Sequence, residues 1–451
     1  MIVLKFGGTS VGDAELMNQV LDIAWAQKDR SPVLVSSAMA RTTDTLLRIG
    51  VAALEGDEEQ AKSELQFLKD LHYPVLYALT ARATATIADQ GKSGIDGLFE
   101  QLASLMKGLV LVHEVSPRSQ DALVSFGEGL STHLLWTAAQ ARGIPSTLID
   151  SRTCVVTDEN FTAASLNKDE SYRRIKEFVH PQKDHLVIAQ GFIGSTLSGI
   201  TTTLGRGGSD YSATIFGAAL DAEEVQIWTD VTGIMTSDPR LIPAARTIEE
   251  ISYEEAAELA YFGAKVIHPS TIAPAIEKSI PVFVKNTKEP QAYGTRIHSR
   301  QPGTGPKGIQ AITSKKGITI ITVKSSRMLN AYGFLQAIFS VFAARKIPVD
   351  LVTTSEVSVS LTVEDTPALA PALQDLREFS QVEIQPNHSI LSLVGADLWK
   401  EGTLTSKVFS ALKGIPIRMI SLGGSDINLS LAVPAQHLEE SVKRLHRELF
   451  E

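Results

Sequence analysis

The stretch TTTLGRGGSD, residues 201–210, carries the strongest structural signal in this chain. A run of threonines, which favour β-strands, leads into a glycine-rich turn. Apolar residues then recur at helical spacing: Ile215, Phe216, Ala219 and Leu220. The pattern predicts a strand, a glycine loop and a helix whose first backbone N–H groups face an anion. Arg206 adds a cation, and Asp210 adds a carboxylate suited to an ammonium, a metal or phosphate-bound magnesium. The structural alternative is a solvated turn with a helix cap.

A similar loop opens the chain. The strand IVLKF, residues 2–6, is apolar except for Lys5, and GGTS, residues 7–10, follows it before a helical stripe. A lysine at the end of a buried strand is unfavourable unless it faces an anion; the alternative is an edge-strand lysine that reaches solvent. Neither loop matches the P-loop or the dinucleotide fingerprint, and the catalytic loop of protein kinases is missing.

Short apolar runs recur along the first two thirds of the chain, and helical patterns separate most of them. The runs are residues 33–35, 147–149, 186–189, 225–228 and 282–284. This alternation predicts an α/β fold, a largely parallel sheet covered by helices. Ligands of such sheets bind at the carboxyl ends of the strands, where both loops also lie. Residues 57–111 read as an inserted helical subdomain or lid.

The chain changes character near RQPGTGP, residues 300–306, which marks a linker over 298–308. Beyond it an internal repeat appears: residues 341–351 have an echo in 408–419, and the alternating strand 357–363 has one in 427–433. Each copy follows a βαββαβ pattern, and the strand 382–384 closes the first. We therefore predict a catalytic domain over 1–297 and two modules, 309–385 and 386–451.

Composition excludes several classes of protein. A chain of 451 residues with 43% apolar residues predicts two or three globular domains. The sequence has no apolar run of about 18 residues and no signal-peptide pattern, so we expect no membrane association. The single cysteine, Cys154, excludes an internal disulfide and indicates a reducing, cytoplasmic location. A net charge of −9 argues against nucleic acid as a partner.

Six motifs, in order along nearly the whole chain, resemble those of the aspartate kinases. They are KFGGTSVG at 5–12, VSFGE at 124–128, QGFIG at 190–194, TTTLGRGGSDYSA at 201–213, WTDVTGIMTSDPR at 228–240 and FGAKVIHP at 262–269. The tail resembles the regulatory region of the single-function, lysine-sensitive type, and its repeat resembles a pair of ACT domains. The resemblance implies transfer of the γ-phosphoryl group of ATP to the β-carboxylate of L-aspartate, the first step of lysine, threonine and methionine biosynthesis.

This implied reaction makes particular demands on the site. The acceptor carboxylate is already ionised at pH 7, so no general base is needed. The difficulty is that an anion attacks a highly charged nucleotide, and catalysis therefore depends on positioning, cations and backbone N–H groups. The implied cofactor is ATP with Mg²⁺ held mainly by the nucleotide phosphates, without a metal site in the protein.

The resemblance assigns roles residue by residue. The implied catalytic residues are Lys5, Arg206, Asp210 and Lys265. The implied substrate-binding residues are Ser37, Thr43, Glu128, Arg206, Gly207 and Ser209. The implied nucleotide-binding residues are Lys5, Gly7, Gly8, Thr9, Ser10, Thr229, Asp230, Met235, Asp238, Arg240 and Lys265. Structural alternatives stay open for Lys265 as a surface lysine, Glu128 as a helix-dipole partner, and Ser37 and Thr43 as turn or cap residues.

The resemblance also implies an effector site in the first module. Its residues are Met328, Gly333, Phe334, Leu335, Val349, Asp350, Thr354, Ser355 and Glu356. Asp350 and Glu356 suit a cationic amino acid such as lysine; the alternative is a pair of solvated carboxylates at strand ends. Pro348 and Asn330 depart from the serine and histidine that lysine-sensitive relatives often have, and Met235 replaces a frequent aromatic residue. The paired modules imply a homodimer or tetramer.

Two other functions compete with this interpretation. One is another acid or carbamate kinase on the same fold; the run TTTLGRGGSD and the paired modules argue against it, since most such relatives lack the tail. A catalytically silent amino-acid sensor would be expected to lose Lys5, Arg206 or Asp210, and all three are present. A fusion with homoserine dehydrogenase is not expected, since the chain stops at Glu451, just after the repeat.

Overall fold

The structure, a computed structural model, describes residues 1–263, 267–300, 308–325, 332–400 and 402–451. The chain divides into two compact units. Unit 1 comprises Met1–Ile234, Glu249–Ile251 and Ile267–Ser299. Unit 2 comprises Met235–Ile248, Ser252–Val266 and Arg300–Glu451. Two segments that the sequence places in the catalytic domain, 235–248 and 252–266, thus belong to unit 2.

The large sheet has eight strands in the described residues, and most of them are parallel. The strands are β1 (Ile2–Phe6), β2 (Pro32–Ser36), β3 (Ser146–Ile149), β5 (Leu186–Gln190), β8 (Glu224–Thr229), β9 (Glu250–Ser252), β10 (Val282–Asn286) and β11 (Thr295–His298). Their order is β3-β5-β2-β1-β8-β10-β11-β9. The pairs from β3 to β10 are parallel, and β11 is antiparallel to β10. All five predicted apolar runs lie in these strands, which confirms the predicted α/β fold.

Helices and a small sheet complete unit 1. The helices are α1 (Ala14–Trp25), α2 (Thr42–Glu55), α3 (Glu58–Thr80), α4 (Ala85–Val112), α5 (Pro117–Val124), α6 (Phe126–Ala141), α7 (Lys168–Phe178), α8 (Gly208–Ala219) and α10 (Ala273–Glu277). The small sheet contains β4 (Val156–Thr157), β6 (Ile193–Thr196) and β7 (Thr201–Thr203). The stretch predicted to be a helical insertion contains α3 and α4, whose first turns are capped by the side chains of Asp57 and Thr84.

The central strands bring two loops together at one edge of the sheet. Every residue of β1, β2 and β5 is buried, as expected for parallel strands covered on both faces. The ladder continues past the strand ends, because Ser37 N–H donates to Phe6 O at 3.1 Å and Ala40 N–H donates to Gly8 O at 3.1 Å. A Cβ atom on Gly8 would lie 2.8 Å from Ala38 O. Glycine is therefore required where the two loops cross.

Unit 2 is built on a six-stranded antiparallel sheet in the described residues. Its strands, in the order β13-β14-β12-β15-β17-β16, are β12 (Gly308–Lys324), β13 (Val352–Thr354), β14 (Ser358–Glu364), β15 (Gln381–Ala396), β16 (Met419–Leu422) and β17 (Asn428–Pro434). Its helices are α9 (Tyr253–Tyr261), α11 (Phe334–Ala344), α12 (Leu369–Arg377), α13 (Gly402–Ala411) and α14 (Leu438–Phe450). Across the described ranges, no helix has the length and apolar content needed to cross a bilayer.

One strand serves both modules. The last part of β12, residues 318–324, pairs with β14 and with the first part of β15. The first part, residues 308–315, pairs with residues 390–396 of β15. The segment 309–315, which the sequence boundaries assign to the first module, therefore pairs with residues of β15 that belong to the second.

Candidate active site

A cavity of about 550 Å³ opens where the loops after β1 and β2 meet the start of α8. Its walls also include residues of α5, α6 and β7. Eight of the residues predicted for catalysis or substrate binding line it, and so does Gly8, which was predicted for the nucleotide. The eight are Lys5, Ser37, Thr43, Glu128, Arg206, Gly207, Ser209 and Asp210. These residues come from four separate parts of the sequence, namely 5–8, 37–43, 128 and 206–210, and all of them belong to unit 1.

Lys5 and Asp210 form an ion pair in this cavity. The Lys5 Nζ atom lies 2.6 Å from Asp210 Oδ1, and their side chains are only 11% and 15% exposed. Asp210 lies in the first turn of α8, where the helix dipole stabilises a carboxylate. The ammonium at the end of β1 is therefore held in place by a carboxylate from another element, 205 residues away in sequence, and it still faces the cavity.

Arg206 lines the same cavity as this pair and has no partner of its own among the described residues. It is exposed, lines the cavity, and forms no ion pair or hydrogen bond with the residues that the structure describes. Both of its neighbours, Gly205 and Gly207, have φ of +72°, a left-handed conformation that glycine adopts readily. The two glycines set the loop geometry that directs the arginine, and an anionic ligand would supply the missing partner.

Glu128 is a buried carboxyl group in the wall of the cavity, and its pKa is raised. It is 3% exposed, lies in the first turn of α6, and its Oε1 accepts a hydrogen bond from Ala38 N–H at 3.1 Å. Its Oε2 is buried without a hydrogen-bond partner among the described residues. Burial raises the pKa of Glu128 to about 8, although the bond from Ala38 and the charge of Lys5 act in the opposite direction. A cationic ligand group would satisfy Oε2.

The loop after β1 is held by a contact to Thr287, the residue that follows β10. Ser10 Oγ lies 2.7 Å from the hydroxyl of Thr287, and Ser10 N–H donates to Gly7 O at 2.9 Å. Ser10 is 2% exposed. The backbone N–H and the hydroxyl of Ser10 are therefore both engaged within the protein, so this residue shapes the loop. Thr9, in contrast, is exposed.

The residues predicted for the nucleotide lie in both units. At the end of β8 in unit 1, Thr229 Oγ1 donates to Asp230 Oδ1 at 3.2 Å. In unit 2, Arg240 donates to both oxygens of Asp238, at distances from 2.7 to 3.2 Å, and holds the pKa of that carboxyl below its ordinary value. Arg240 is 87% exposed. Met235 forms an isolated bridge with Thr247. Lys265 lies outside the described residues.

The predicted effector residues lie in unit 2, apart from Met328, which is outside the described residues. Asp350, with a side chain 1% exposed, is already paired: Lys315 Nζ lies 2.6 Å from its Oδ1, and the Tyr261 hydroxyl donates to the same oxygen at 2.9 Å. Lys315 also contacts Glu364 at 2.7 Å. Burial opposes protonation of Lys315, but the two carboxylates raise its pKa above the ordinary value. Asp350 Oδ2 is buried and has no hydrogen-bond partner in the described part of the chain.

The other predicted effector residues lie before and after Asp350 in the sequence. Gly333 precedes α11, which begins with Phe334 and Leu335. Val349 packs against the core of the first module, and Thr354 ends β13. The Ser355 hydroxyl lies 2.8 Å from that of Ser358, and Glu356 is exposed.

Sequence reasoning missed one buried acid of the cavity wall, Asp121 on α5. It is 1% exposed and accepts hydrogen bonds from the backbone of Thr162 and from the backbone and hydroxyl of Thr203. Its only sequence signal is its position just before the VSFGE motif on a helix.

Comparisons with known proteins agree with this geometry. Residues 1–286 match the model of the amino acid kinase family, and residues 391–449 match an ACT domain. The lysine-sensitive aspartokinase 3 of Escherichia coli K12 is 38% identical over all of this chain and 99% of the relative. The chloroplastic aspartokinase 3 of Arabidopsis thaliana is 37% identical over all of this chain and 81% of the relative.

Solved structures show the same likeness. The crystal structure of E. coli aspartokinase III with aspartate and ADP, in the R-state, superposes with a TM-score of 0.84 and 37% identity over all of both chains. The T-state of that enzyme with lysine and aspartate gives 0.81 over the same coverage. The chain therefore belongs to the amino acid kinase family. Within that family it groups with the aspartokinases, and it is a phosphotransferase with a carboxyl acceptor.

Proposed function

We propose that the cavity binds L-aspartate and that its β-carboxylate attacks the γ-phosphorus of ATP to give 4-phospho-L-aspartate and ADP. The observation that carries the proposal is the convergence of three groups on one cavity: the Lys5–Asp210 pair, the buried carboxyl of Glu128, and the guanidinium of Arg206, which has no partner in the described part of the chain. These groups complement the two carboxylates and the ammonium of one amino acid. The E. coli relative was crystallised with aspartate and ADP.

Each group has a distinct part in the transfer. Lys5, oriented by Asp210, neutralises charge that develops on the transferring phosphoryl group. Arg206 binds the α-carboxylate with two parallel hydrogen bonds, and Glu128 accepts from the ammonium. Lys265, Thr229, Asp230, Asp238 and Arg240 are proposed for the nucleotide. Mg²⁺ would enter bound to the ATP phosphates and neutralise them. The metabolite substrates and the buried thiol of Cys154 support a cytoplasmic location.

Trapping of the acyl phosphate with hydroxylamine tests the proposal. Aspartate, glutamate and carbamate are offered in turn with ATP and Mg²⁺, and hydroxamate and ADP are both measured. We expect product with aspartate at far higher kcat/KM than with the other two acids. Transfer to glutamate or carbamate, with none to aspartate, would support the competing acid kinase instead.

The protonation of Glu128 makes aspartate binding pH-dependent. Its pKa of about 8 means that the group is mostly neutral at pH 7, whereas an ammonium needs the ionised form. The KM for aspartate should therefore fall about tenfold between pH 7 and pH 9, since each unit below a pKa reduces the ionised fraction tenfold. Glu128→Gln should have a higher KM that no longer changes with pH. The matched control is Glu258→Gln, a half-buried carboxyl of unit 2 whose pKa is also raised by burial. If the KM for aspartate of Glu128→Gln still falls steeply with pH, Glu128 does not bind the substrate ammonium in its ionised form.

We further propose that lysine is the effector and that it binds at the first module. Asp350 and the exposed Glu356 provide the carboxylates, and Asp350 Oδ2 still lacks a partner among the described residues. The T-state structure of the E. coli relative contains lysine. The edge strands β13 and β16 of the six-stranded sheet support assembly of a homodimer or tetramer through the modules.

Asp350→Asn should weaken inhibition by lysine by about tenfold, because a charged hydrogen bond is replaced by a neutral one. The measurement is the lysine concentration that halves each variant's own uninhibited rate. Asp375→Asn is the control, since Asp375 also pairs with a cation at 2.6 Å in unit 2 but is partly exposed. If threonine inhibits the unmodified enzyme and lysine does not, the effector assignment is wrong.

A further inference from the structure

We infer that Asp121 is a positioning residue that fixes Arg206 for the substrate carboxylate. This inference rests on the proposed function. Asp121 projects from α5 into the cavity wall and is 1% exposed. Within the described residues, no lysine or arginine pairs with its carboxylate, and the hydrogen bonds that this carboxylate accepts come from two threonines. A buried carboxylate without a cation is unfavourable unless its hydrogen bonds are well made.

The hydrogen bonds join two chain segments that lie far apart in sequence. Thr162 N–H donates to both carboxylate oxygens, at 3.1 and 3.0 Å. Thr203 N–H donates to Oδ2 at 2.9 Å, and the Thr203 hydroxyl donates to Oδ1 at 2.7 Å. One carboxylate thus holds the loop around residue 162 against the end of β7. A further bond from Ala164 N–H to Thr203 O, 2.9 Å long, closes the junction.

This junction lies directly beside the loop that carries Arg206. Thr203 ends β7, two residues before Gly205. A Cβ atom on Gly205 would be 3.2 Å from Thr162 O, so the 162 loop packs closely against the backbone next to Arg206. Thr162 itself has φ of +71°, which is strained for a β-branched residue and is held by its bond to Asp121. Asp121 touches neither the Lys5–Asp210 pair nor the nucleotide residues through these bonds.

Asp121→Asn tests the inference, because its amide group cannot accept from the donors that the lost oxygen served. We expect the KM for aspartate to rise about tenfold, since a small misplacement of a binding group weakens its contacts strongly. The KM for ATP should stay within about twofold, because the hydrogen bonds of the Asp121 carboxylate reach Thr162 and Thr203 and no residue predicted for the nucleotide. Thr203→Val, which removes only the hydroxyl, should show a smaller shift in the same direction, and Thr203→Ser should behave as the unmodified enzyme does. If Asp121→Asn does not fold, the KM values for aspartate of the two Thr203 variants test the inference in its place.

A matched control and a double mutant separate positioning from general destabilisation. Asp158→Asn is the control, since Asp158 accepts from the backbone of Asn160 and Ser165 in the same loop but does not line the cavity. In an Arg206→Ala background, Asp121→Asn should raise the KM for aspartate no further. A full additional tenfold rise there, an equal rise for ATP, or the same effect from Asp158→Asn would overturn the inference. Failure of the unmodified enzyme to phosphorylate aspartate would instead refute the proposed function.

Discussion

Replacing Lys5 by methionine should lower kcat for aspartate phosphorylation by roughly a hundred- to a thousandfold, the loss typical of removing one group that stabilises transition-state charge. Methionine keeps the apolar packing of the side-chain stem within β1 and removes only the charge. Because the ammonium acts mainly on the transferring phosphoryl group, the KM for aspartate should change much less than kcat. Initial rates over a range of aspartate concentrations, with saturating ATP, measure the two constants separately.

The surface offers a closely matched control for this substitution. Lys28 forms an ion pair with Asp184 at 2.6 Å, the same distance as Lys5–Asp210. Unlike that buried pair, the side chains of Lys28 and Asp184 are both well exposed. Lys28→Met should leave kcat unchanged. The double variant Lys5→Met/Asp210→Asn removes both buried charges and tests whether an unpaired carboxylate has destabilised the single variant. A thermally stable Lys5→Met enzyme with kcat within tenfold of the unmodified one would remove Lys5 from the reaction.

The second large effect is expected at Arg206. Arg206→Ala should raise the KM for aspartate by about ten- to a hundredfold, because hydrogen bonds to charged groups contribute about 1.5–3 kcal/mol. Arg206→Lys should give an intermediate value, since lysine keeps the charge and loses the planar pair of donors. The control is Arg48→Ala, which removes a half-exposed surface arginine that pairs with Glu64. This variant should leave the KM for aspartate unchanged. An unchanged KM for aspartate in Arg206→Ala would assign the α-carboxylate to another group.

The sequence predicted the parts of the site that local pattern determines. The loops at residues 7–10 and 205–210 are recognisable because glycine has special conformational freedom and because alternation of strands and helices places such loops at one edge of a parallel sheet. The charge types of Lys5, Arg206 and Asp210 could be read directly. The approach of Asp210 to within 2.6 Å of Lys5 depends on how α8 packs near the end of β1, and local pattern alone does not determine that packing.

Asp121 and Lys315 show where prediction from the sequence ends. Asp121 lies 82 residues from Thr203 and resembles any polar residue of an amphipathic helix. Lys315 lies on a strand whose pattern does not reveal that it faces Asp350, 35 residues later. In both cases the role of the charged group depends on partners that only the fold brings near it. The division of β12 between the two modules could not be predicted either, because alternation indicates a strand but not its neighbours.

The division of β12 has a consequence for how unit 2 comes apart. A fragment that begins at residue 386 would lack the edge that residues 308–315 supply, and one that ends at residue 385 would leave that same segment unpaired. Neither half can melt without exposing ladder hydrogen bonds of the other. Amide protons on the strands of both halves should therefore exchange with deuterium together, in a single opening event, and a nick in the strand would loosen both halves at once.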